Sequence, residues 1–471
     1  MLDAMQLLDF PAGEWFNVSR PLTTRDLNGR VAVLDFWTYC CINCHHLLAS
    51  LELLEREHPD DVVVVGVHSP KFSTEHDAQN VREAVLRYNI KHPVLNDPEM
   101  LLWGQYGIQA WPSLLFIGPT GEVLGQHSGE VPGPLLLRFV ERLLGEHSAD
   151  VHPHPLPLAP EAATLAASPL SFPGKLALAE GRLYISDSGH DRVLATDPEG
   201  HVQRVYEGDF RRPQGLAVAE GQLYVADTEH HLIKRVDLES GAVTVLAGTG
   251  EQGVARQVSA PGQELPISSP WDVELVAGRL FIAMAGTHQL WVLDLASGMA
   301  ADWAGTGEEN IGDGPLKEAK LAQPSGICSD GRMLYFADSE TSSVRTAALE
   351  ESGGVRTIVG RGLFDFGDVD GIGGEVRLQH PLGVCTDGLF VYLADTYNNR
   401  IKRVFPSNRG VTTLAGSGTS GRLDGQSELA EFNEPGGLAV AGGQLYIADT
   451  NNSLIRVCDL ETTQVRTLTI S

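Results

Sequence analysis

Two patterns of apolar and polar positions divide the chain. Up to about residue 147, continuous apolar runs of strand length alternate with segments of helical period. Residues 31–58, VAVLDFWTYCCINCHHLLASLELLEREH, begin as a buried-type strand, turn at the cysteines and continue as an amphipathic helix. Leu47, Leu51 and Leu54 share one face of that helix. VVVVGVHS (62–69) predicts the next strand and 77–89 a helix. SLLFIGPTG, opening at Ser113, predicts another strand, and PLLLRFVERLL a closing helix.

From residue 173 onward the pattern is short strands and turns, and it repeats. LYISDSGHDRVLATD (183–197) recurs as LYVADTEHHLIKRVD (223–237), LFIAMAGTHQLWVLD (280–294), LYFADSETSSVRTAA (334–348), VYLADTYNNRIKRVF (391–405) and LYIADTNNSLIRVCD (445–459). Each follows a proline step at Pro213, Pro270, Pro324, Pro381 or Pro435, with Pro173 as a weaker first case. Each leads into a further β-rich stretch such as VTVLAGTG (243–250). Four short strands per unit cannot bury both faces of one small sheet, so six units must stack around an axis. The Asp after each second strand (187, 227, 338, 395, 449) is expected to accept backbone N–H bonds and hold the turn, and Met284 breaks that pattern in the third unit. The longer connections carry Asp313-Gly314, Asp370-Gly371 and Asp424-Gly425, which read as turn pairs on one rim, a surface suited to docking. The blade signature resembles NHL repeats across about residues 170–471.

Between the two patterns, residues 145–173 hold six prolines and many small residues, the composition of an extended linker. The expected division is a thioredoxin-like domain over 1–147, a Pro-rich linker over 148–172 and a six-bladed propeller over 173–471. In fold class that is an α/β thioredoxin fold followed by an all-β propeller.

Charge narrows the partners. The net charge is -27, with both halves acidic, and no basic run forms a nucleic-acid face or a site for anionic lipid. Protein clients or partners on the propeller are the expectation, with neither nucleic acid nor membrane. MLDAMQLLDFPAGEW lacks the basic start and apolar core of a secretory signal, and no apolar run approaches a membrane span. Six cysteines, three of them at 40, 41 and 44, read as chemistry in a reducing compartment, so a cytosolic location is expected.

A strand, then Cys-x-x-Cys, then a helix, set among alternating β and α elements, is the thioredoxin layout. The resemblance is to the ResA/TlpA-type branch of thioredoxin-like proteins, over about residues 5–147. Cys41 at the helix start meets unpaired N–H groups and the helix dipole, which favour a thiolate; Cys44 lies one turn on, within disulfide reach. Cys41 is expected to attack a disulfide and Cys44 to resolve the mixed species. The resemblance implies that Trp111-Pro112 is a cis-proline site that receives the substrate backbone. Ile42-Asn43 stands where Gly-Pro is common, and Cys40 where Trp is usual, so no potential carries over. Cys40 reads as a small buried residue, with an auxiliary redox role as its alternative.

Cys40, Cys41, Cys44, His45 and His46 form a ligand-rich run, but thioredoxin-fold copper chaperones add a distant His, and 113–126 has none before His127. His45 and His46 are expected to face solvent or the domain interface, and neither a metal nor another cofactor is expected. Propeller-borne hydrolase or lyase chemistry would need Glu, Asp, Asn or His converging from several blades, whereas GLAV, GICS, GVCT and GGLAV offer mostly apolar and small groups. FWTYCCINCHH, the Pro-rich stretch and NHL blades together resemble the NHL repeat-containing protein 2 family, bacterial relatives included. The leading expectation is a thiol–disulfide oxidoreductase whose propeller holds the client. The alternative is a non-enzymatic scaffold in which the cysteines are a sensor or a relic.

Overall fold

A computed structural model describes residues 6–164, 167–254 and 257–471. The chain folds as two units, Met1–Ala167 and Ser168–Ser471.

The first unit is built on a six-stranded sheet. Its strands are β1 (Trp15–Phe16), β2 (Val31–Trp37), β3 (Val62–His68), β4 (Val94–Asn96), β5 (Ser113–Ile117) and β6 (Val123–Ser128), in the spatial order β1-β4-β3-β2-β5-β6. β2, β3 and β4 run parallel, and β5 returns antiparallel against β2. Every residue of β2 is buried, because both faces are covered. Five helices complete the unit: α1 (Thr24–Leu27), α2 (Ile42–Glu57), α3 (Ala78–Arg87), α4 (Leu101–Gln105) and α5 (Gly133–Glu146). On one face, Val31 and Val33 pack with Leu47, Leu51 and Leu54 of α2 and Leu136, Val140 and Leu143 of α5. On the other, Ala32, Leu34 and Phe36 pack with Leu102 and Tyr106. The Pro-rich stretch is extended, and part of it lies along this unit. His152 donates to the Gly29 carbonyl (2.9 Å), Ser19 to the Pro157 carbonyl (2.8 Å) and Ala159 to the Asn17 carbonyl (2.9 Å). Arg82 holds Glu161 at 2.7 Å. Prolines leave few donors to satisfy, and the edge of the unit takes some of those that remain.

The second unit is six antiparallel sheets in chain order, each strand pairing with the next. Blade two shows the plan: Pro213–Ala219, Gln222–Asp227, Leu232–Asp237 and Val243–Ala247. In blades three to six the incoming connection adds a fifth, outermost strand (Ser259–Pro261, Gly314–Pro315, Gly371–Ile372, Gly425–Gln426). The apolar clusters lie between neighbouring blades, and one joins the last to the first through Leu183, Ile185, Tyr446 and Ile455. The ends also meet at the backbone, a closure the sequence did not disclose. Val202 donates to the Ser471 carbonyl (2.8 Å) and Ser471 to the Gly200 carbonyl (3.1 Å). The last residues thus add to the outer edge of blade one, where the connections add to blades three to six. Gly200 permits the approach: its φ is +96°, and a Cβ there would lie 2.1 Å from the Thr469 carbonyl oxygen.

The recurring aspartates do what the repeat predicts. Asp187, Asp227, Asp338, Asp395 and Asp449 each accept the N–H two residues before their blade's proline, from Ser171, Arg211, Ala322, Gln379 and Asn433, at 2.6–2.7 Å. The following Ser or Thr donates to the proline carbonyl of the next blade, as Ser188 does to Pro213 (2.6 Å) and Thr450 to Pro173 (2.9 Å). A cation from the third strand meets the carboxylate: Lys234 on Asp227 (2.7 Å), Arg345 on Asp338 (2.8 Å), Arg456 on Asp449 (2.9 Å). The Asp-Gly carboxylates are more than turn formers. Asp313 and Asp424 bind the same Arg345 and Arg456, and Asp370 binds Lys402, so each clamps its connection onto the blade. Where Met284 replaces the aspartate in blade three, the residue in the cation's place is Trp291, and both are fully buried in one apolar cluster. The ion pair has been exchanged for a packed hydrophobic pair.

Arg456→Met should therefore cost about 3–5 kcal/mol, because it strands the Asp449 carboxylate. Asp449→Asn with Arg456→Met should cost less, since the amide still accepts the Asn433 N–H. Denaturant unfolding of both variants measures this; equal losses would show that the buried charge is not the cost.

Candidate functional site

β2 ends at Trp37, and Thr38–Cys41 turn the chain into α2, with Cys41 as the N-cap residue. Cys41 is partly exposed and Cys44 is buried. The Cys44 and His45 N–H groups donate to the Cys41 carbonyl (3.0 and 3.2 Å), which closes the first turn. Burial, then the neighbouring Cys41 sulfur and the Asp35 charge, push the Cys44 thiol well above its ordinary value.

The Trp111–Pro112 peptide is cis. Ser113 pairs in register with Phe36, so the proline lies at the same end of the sheet as the cysteines. Trp111 donates its indole N–H to the Ser69 carbonyl (2.9 Å) and packs on Trp103 at 4.4 Å.

Cys40 lies on the other side of the turn. It is buried, its sulfur is 3.6 Å from the Thr38 hydroxyl, and its N–H donates to Glu75 Oε1 (3.1 Å). Glu75 Oε2 accepts the N–H groups of Lys71 (2.6 Å) and Phe72 (2.9 Å). Burial raises the Glu75 carboxyl in spite of those donors. This carboxyl ties the cysteine turn to the segment after β3.

Both histidines have partners within the first unit. His46 is buried, with Nδ1 3.0 Å from Glu130 Oε1, and His45 lies over Tyr88 at 4.0 Å with Nε2 3.0 Å from the Tyr39 carbonyl. At the start of α2, both rings find protein partners. Among the described residues, no group of three or more His, Cys, Asp or Glu side chains is placed to hold a metal ion.

Sequence reasoning missed Asp35. It follows Val31 and Val33 on the β2 face that α2 covers, it is 1% exposed, and neither of its oxygens has a hydrogen-bond partner. Burial pushes its carboxyl up to about 7, against a smaller pull from His92. The signal was present: an Asp at the third inward position of an apolar strand leading to Cys-x-x-Cys. A carboxyl held near neutrality below a buried thiol is equipped to accept that thiol's proton.

Comparison with known proteins agrees with this architecture. A thioredoxin-like family model matches residues 28–123, and an NHL-repeat model matches 210–235 and 432–458. NHL repeat-containing protein 2 of Bos taurus is 42% identical, over 97% of this chain and 70% of its own length. The chain belongs to the NHL repeat-containing protein 2 family. Protein Suppressor of Quenching 1, chloroplastic, of Arabidopsis thaliana is 43% identical over 96% of this chain, which spans 46% of that longer protein. The first unit alone is similar to thiol-disulfide oxidoreductase ResA of Halalkalibacterium halodurans, 25% identical over 26% of this chain and 67% of the relative. In this family member the NHL blades are those whose aspartates and cations are described above.

The raised Asp35 sets a pH dependence. An unfolded Asp loses its proton near pH 3.9, whereas the folded chain holds this one up to about 7. The folded state binds more protons across that window, so stability falls as pH rises through it. Asp35→Asn should be more stable than wild type at pH 8 by on the order of a few kcal/mol, with the gap closing below about pH 4. Denaturant unfolding at several pH values reads this directly, and a gap independent of pH would disprove the assignment.

Proposed function

We propose that the first unit carries out thiol–disulfide exchange, and that the propeller holds its protein clients. The observation that carries this reading is Asp35, a buried carboxyl without a partner on the β2 face that α2 covers, where the buried Cys44 lies one turn from the partly exposed Cys41. A Cys41 thiolate attacks one sulfur of a client disulfide, forms a mixed disulfide and releases the other client sulfur as a thiolate. Cys44 then gives its proton to Asp35 and attacks the Cys41 sulfur, which frees the second client thiolate. The client gains two electrons and Cys41–Cys44 becomes a disulfide, which a dithiol reductant must reopen. The cis Trp111–Pro112 peptide, at the same end of the sheet, offers its backbone to the client chain. Exposed apolar side chains on the long propeller connections support docking there: Phe364, Ile372, Leu423 and Leu429 are each at least 60% exposed.

Cys44→Ser should trap mixed disulfides on Cys41 in cells, and Cys41→Ser with Cys44→Ser should trap none. Cys40→Ala should leave trapping unchanged. No adducts, together with no reduction of a model disulfide by the wild-type chain, would instead favour the scaffold reading.

A further inference from the structure

Blade two differs from the other five at its outer edge. In those five, a carbonyl just before the outer strand accepts an N–H from an added segment: Gly200 from Ser471 (3.1 Å), Gly298 from Gly262 (2.8 Å), Gly353 from Leu316 (3.3 Å), Arg409 from Gly373 (2.8 Å) and Thr463 from Ser427 (2.7 Å). In blade two the corresponding carbonyl is that of Gly241, and no described residue donates to it. The connection into this blade, residues 207–212, runs directly from strand to strand, whereas 248–269, 305–323, 360–380 and 416–434 each add a strand. Asp237 donates to the Ala242 carbonyl (2.9 Å), which turns Ala242 toward the blade and Gly241, Val243 and Val245 outward. Of these outward groups, the Val245 carbonyl takes the Gln263 side-chain amide (2.6 Å). The Gly241 carbonyl, both backbone groups of Val243 and the Val245 N–H face outward with no partner among the described residues.

The side chains record the same difference. Pairing with the third strand puts Val243 in the place of Ala300, Val355, Val411 and Val465 in blades three to six. Those four are buried, and the last three share their clusters with a side chain of the added connection, Leu316, Val376 and Ala430 respectively. Val243 is 37% exposed. The same pairing sets Val245 opposite Lys234, as Thr357 and Thr413 are set opposite Arg345 and Lys402. At those two positions one connection aspartate holds both the outer N–H and the cation. Asp313 accepts from Thr357 (3.0 Å) and Arg345 (3.2 Å), and Asp370 from Thr413 (2.6 Å) and Lys402 (2.8 Å). In blade two the short connection reaches Lys234 with the Gly208 and Asp209 carbonyls (3.4 and 2.6 Å), and no described carboxylate meets the Val245 N–H.

We propose that the outer edge of blade two, from Gly241 to Val245, docks an extended segment of a partner protein that carries an acidic residue and, three positions on, an apolar one. The molecule's own connections define this occupant. In Asp313-Gly314-Pro315-Leu316 the acid holds the outer N–H and the cation, the next two residues pair antiparallel along the edge, and the leucine joins the cluster of Val355. A partner segment of that kind adds the fifth strand that blade two lacks. Its backbone bonds the open row, its acid meets the Val245 N–H beside the Lys234 ammonium, and its apolar side chain covers Val243. A second copy of this chain fits less well. Ala247 is buried, and a Cβ on Gly262 would lie 2.7 Å from the Leu246 carbonyl oxygen, so the open run stops at Val245, short of what a strand-paired dimer needs. The proposal rests on the reading of the propeller as a platform for protein partners, and it is independent of the exchange chemistry.

The test uses the full chain and, as probe, a labelled peptide with the sequence of residues 310–319, NIGDGPLKEA. Fluorescence anisotropy should show saturable binding, and amide hydrogen exchange at Val243 and Val245 should slow about tenfold or more in the complex. Val243→Lys, which sets a charge on the exposed edge, should weaken binding about tenfold or more. Asp313→Asn and Leu316→Ala made in the peptide alone should each weaken it by about the same factor, and they leave the protein untouched. No saturation by millimolar peptide overturns the proposal, and so does binding that Val243→Lys leaves unchanged. Protection of the Val243 and Val245 amides without peptide, rising with protein concentration, would identify a second copy as the occupant and overturn it too. The measurement involves no disulfide, so mixed-disulfide trapping by Cys44→Ser reads the exchange chemistry separately. Trapping retained with no peptide bound would remove this docking edge and leave the exchange reading standing.

Discussion

Taking a carboxylate out of water is among the most expensive steps a fold can make, and the way each buried carboxylate is compensated organises this protein. For the repeated blade aspartates the compensation comes from hydrogen bonds to both oxygens. Each blade aspartate accepts a backbone N–H from the proline step at its own entrance. In blades two, four and six, a third-strand cation meets the remaining oxygen. Those bonds fix where each innermost strand begins, and the adjoining Ser or Thr fixes the next blade against it. The ring is the sum of these local closures, repeated until the last blade meets the first. Blade three shows that charge is dispensable, since Met284 and Trp291 fill the same two places with apolar bulk.

Asp35 obeys the same physics with the opposite result. It is as deeply buried as the blade aspartates, but no hydrogen-bond donor reaches either oxygen. A fold that needed only stability would place a valine there, as it does at positions 31 and 33 of the same face. An uncompensated carboxyl at that point is a cost, and in the exchange reaction we propose, the Cys44 thiol is where that cost has a use. Asp35 and the blade aspartates thus differ by a single criterion, whether the protein itself satisfies both carboxylate oxygens.

What the sequence discloses follows from the distance between partners. The blades are legible because Asp, the Ser or Thr after it and, in most blades, a cation on the third strand recur in register, so the pattern survives one exception. The cysteine site is legible because strand, motif and helix are contiguous. Pairings across long separations are not. Asp313 reads as a turn residue because Arg345 is far along the chain. Glu75 and His92 carry no local mark, and only the folded sheet brings them to Cys40 and Gly66. The ring closure joins Ser471 to Gly200 and Val202, and no strand signal announces it. Asp35 was legible in principle, but a reading tuned to apolar runs passes over one acid within them.

The propeller axis follows the same rule. The innermost strands are not wholly apolar. Asp272 lies on the first strand of blade three, and Lys175 directly precedes that of blade one. Lys175 donates to the carbonyls of Leu382 and, at 3.0 Å, Gly436, so an ammonium from blade one ties blades five and six together. Asp272 accepts the N–H groups of Val273 (2.9 Å) and Ile327 (3.1 Å), and its charge favours the nearby Lys175 cation. These two axial charges are thus engaged in holding blades to one another, as the repeated aspartates are farther out. Asp35 has no hydrogen-bond partner on either oxygen, whereas Asp272 has one on each.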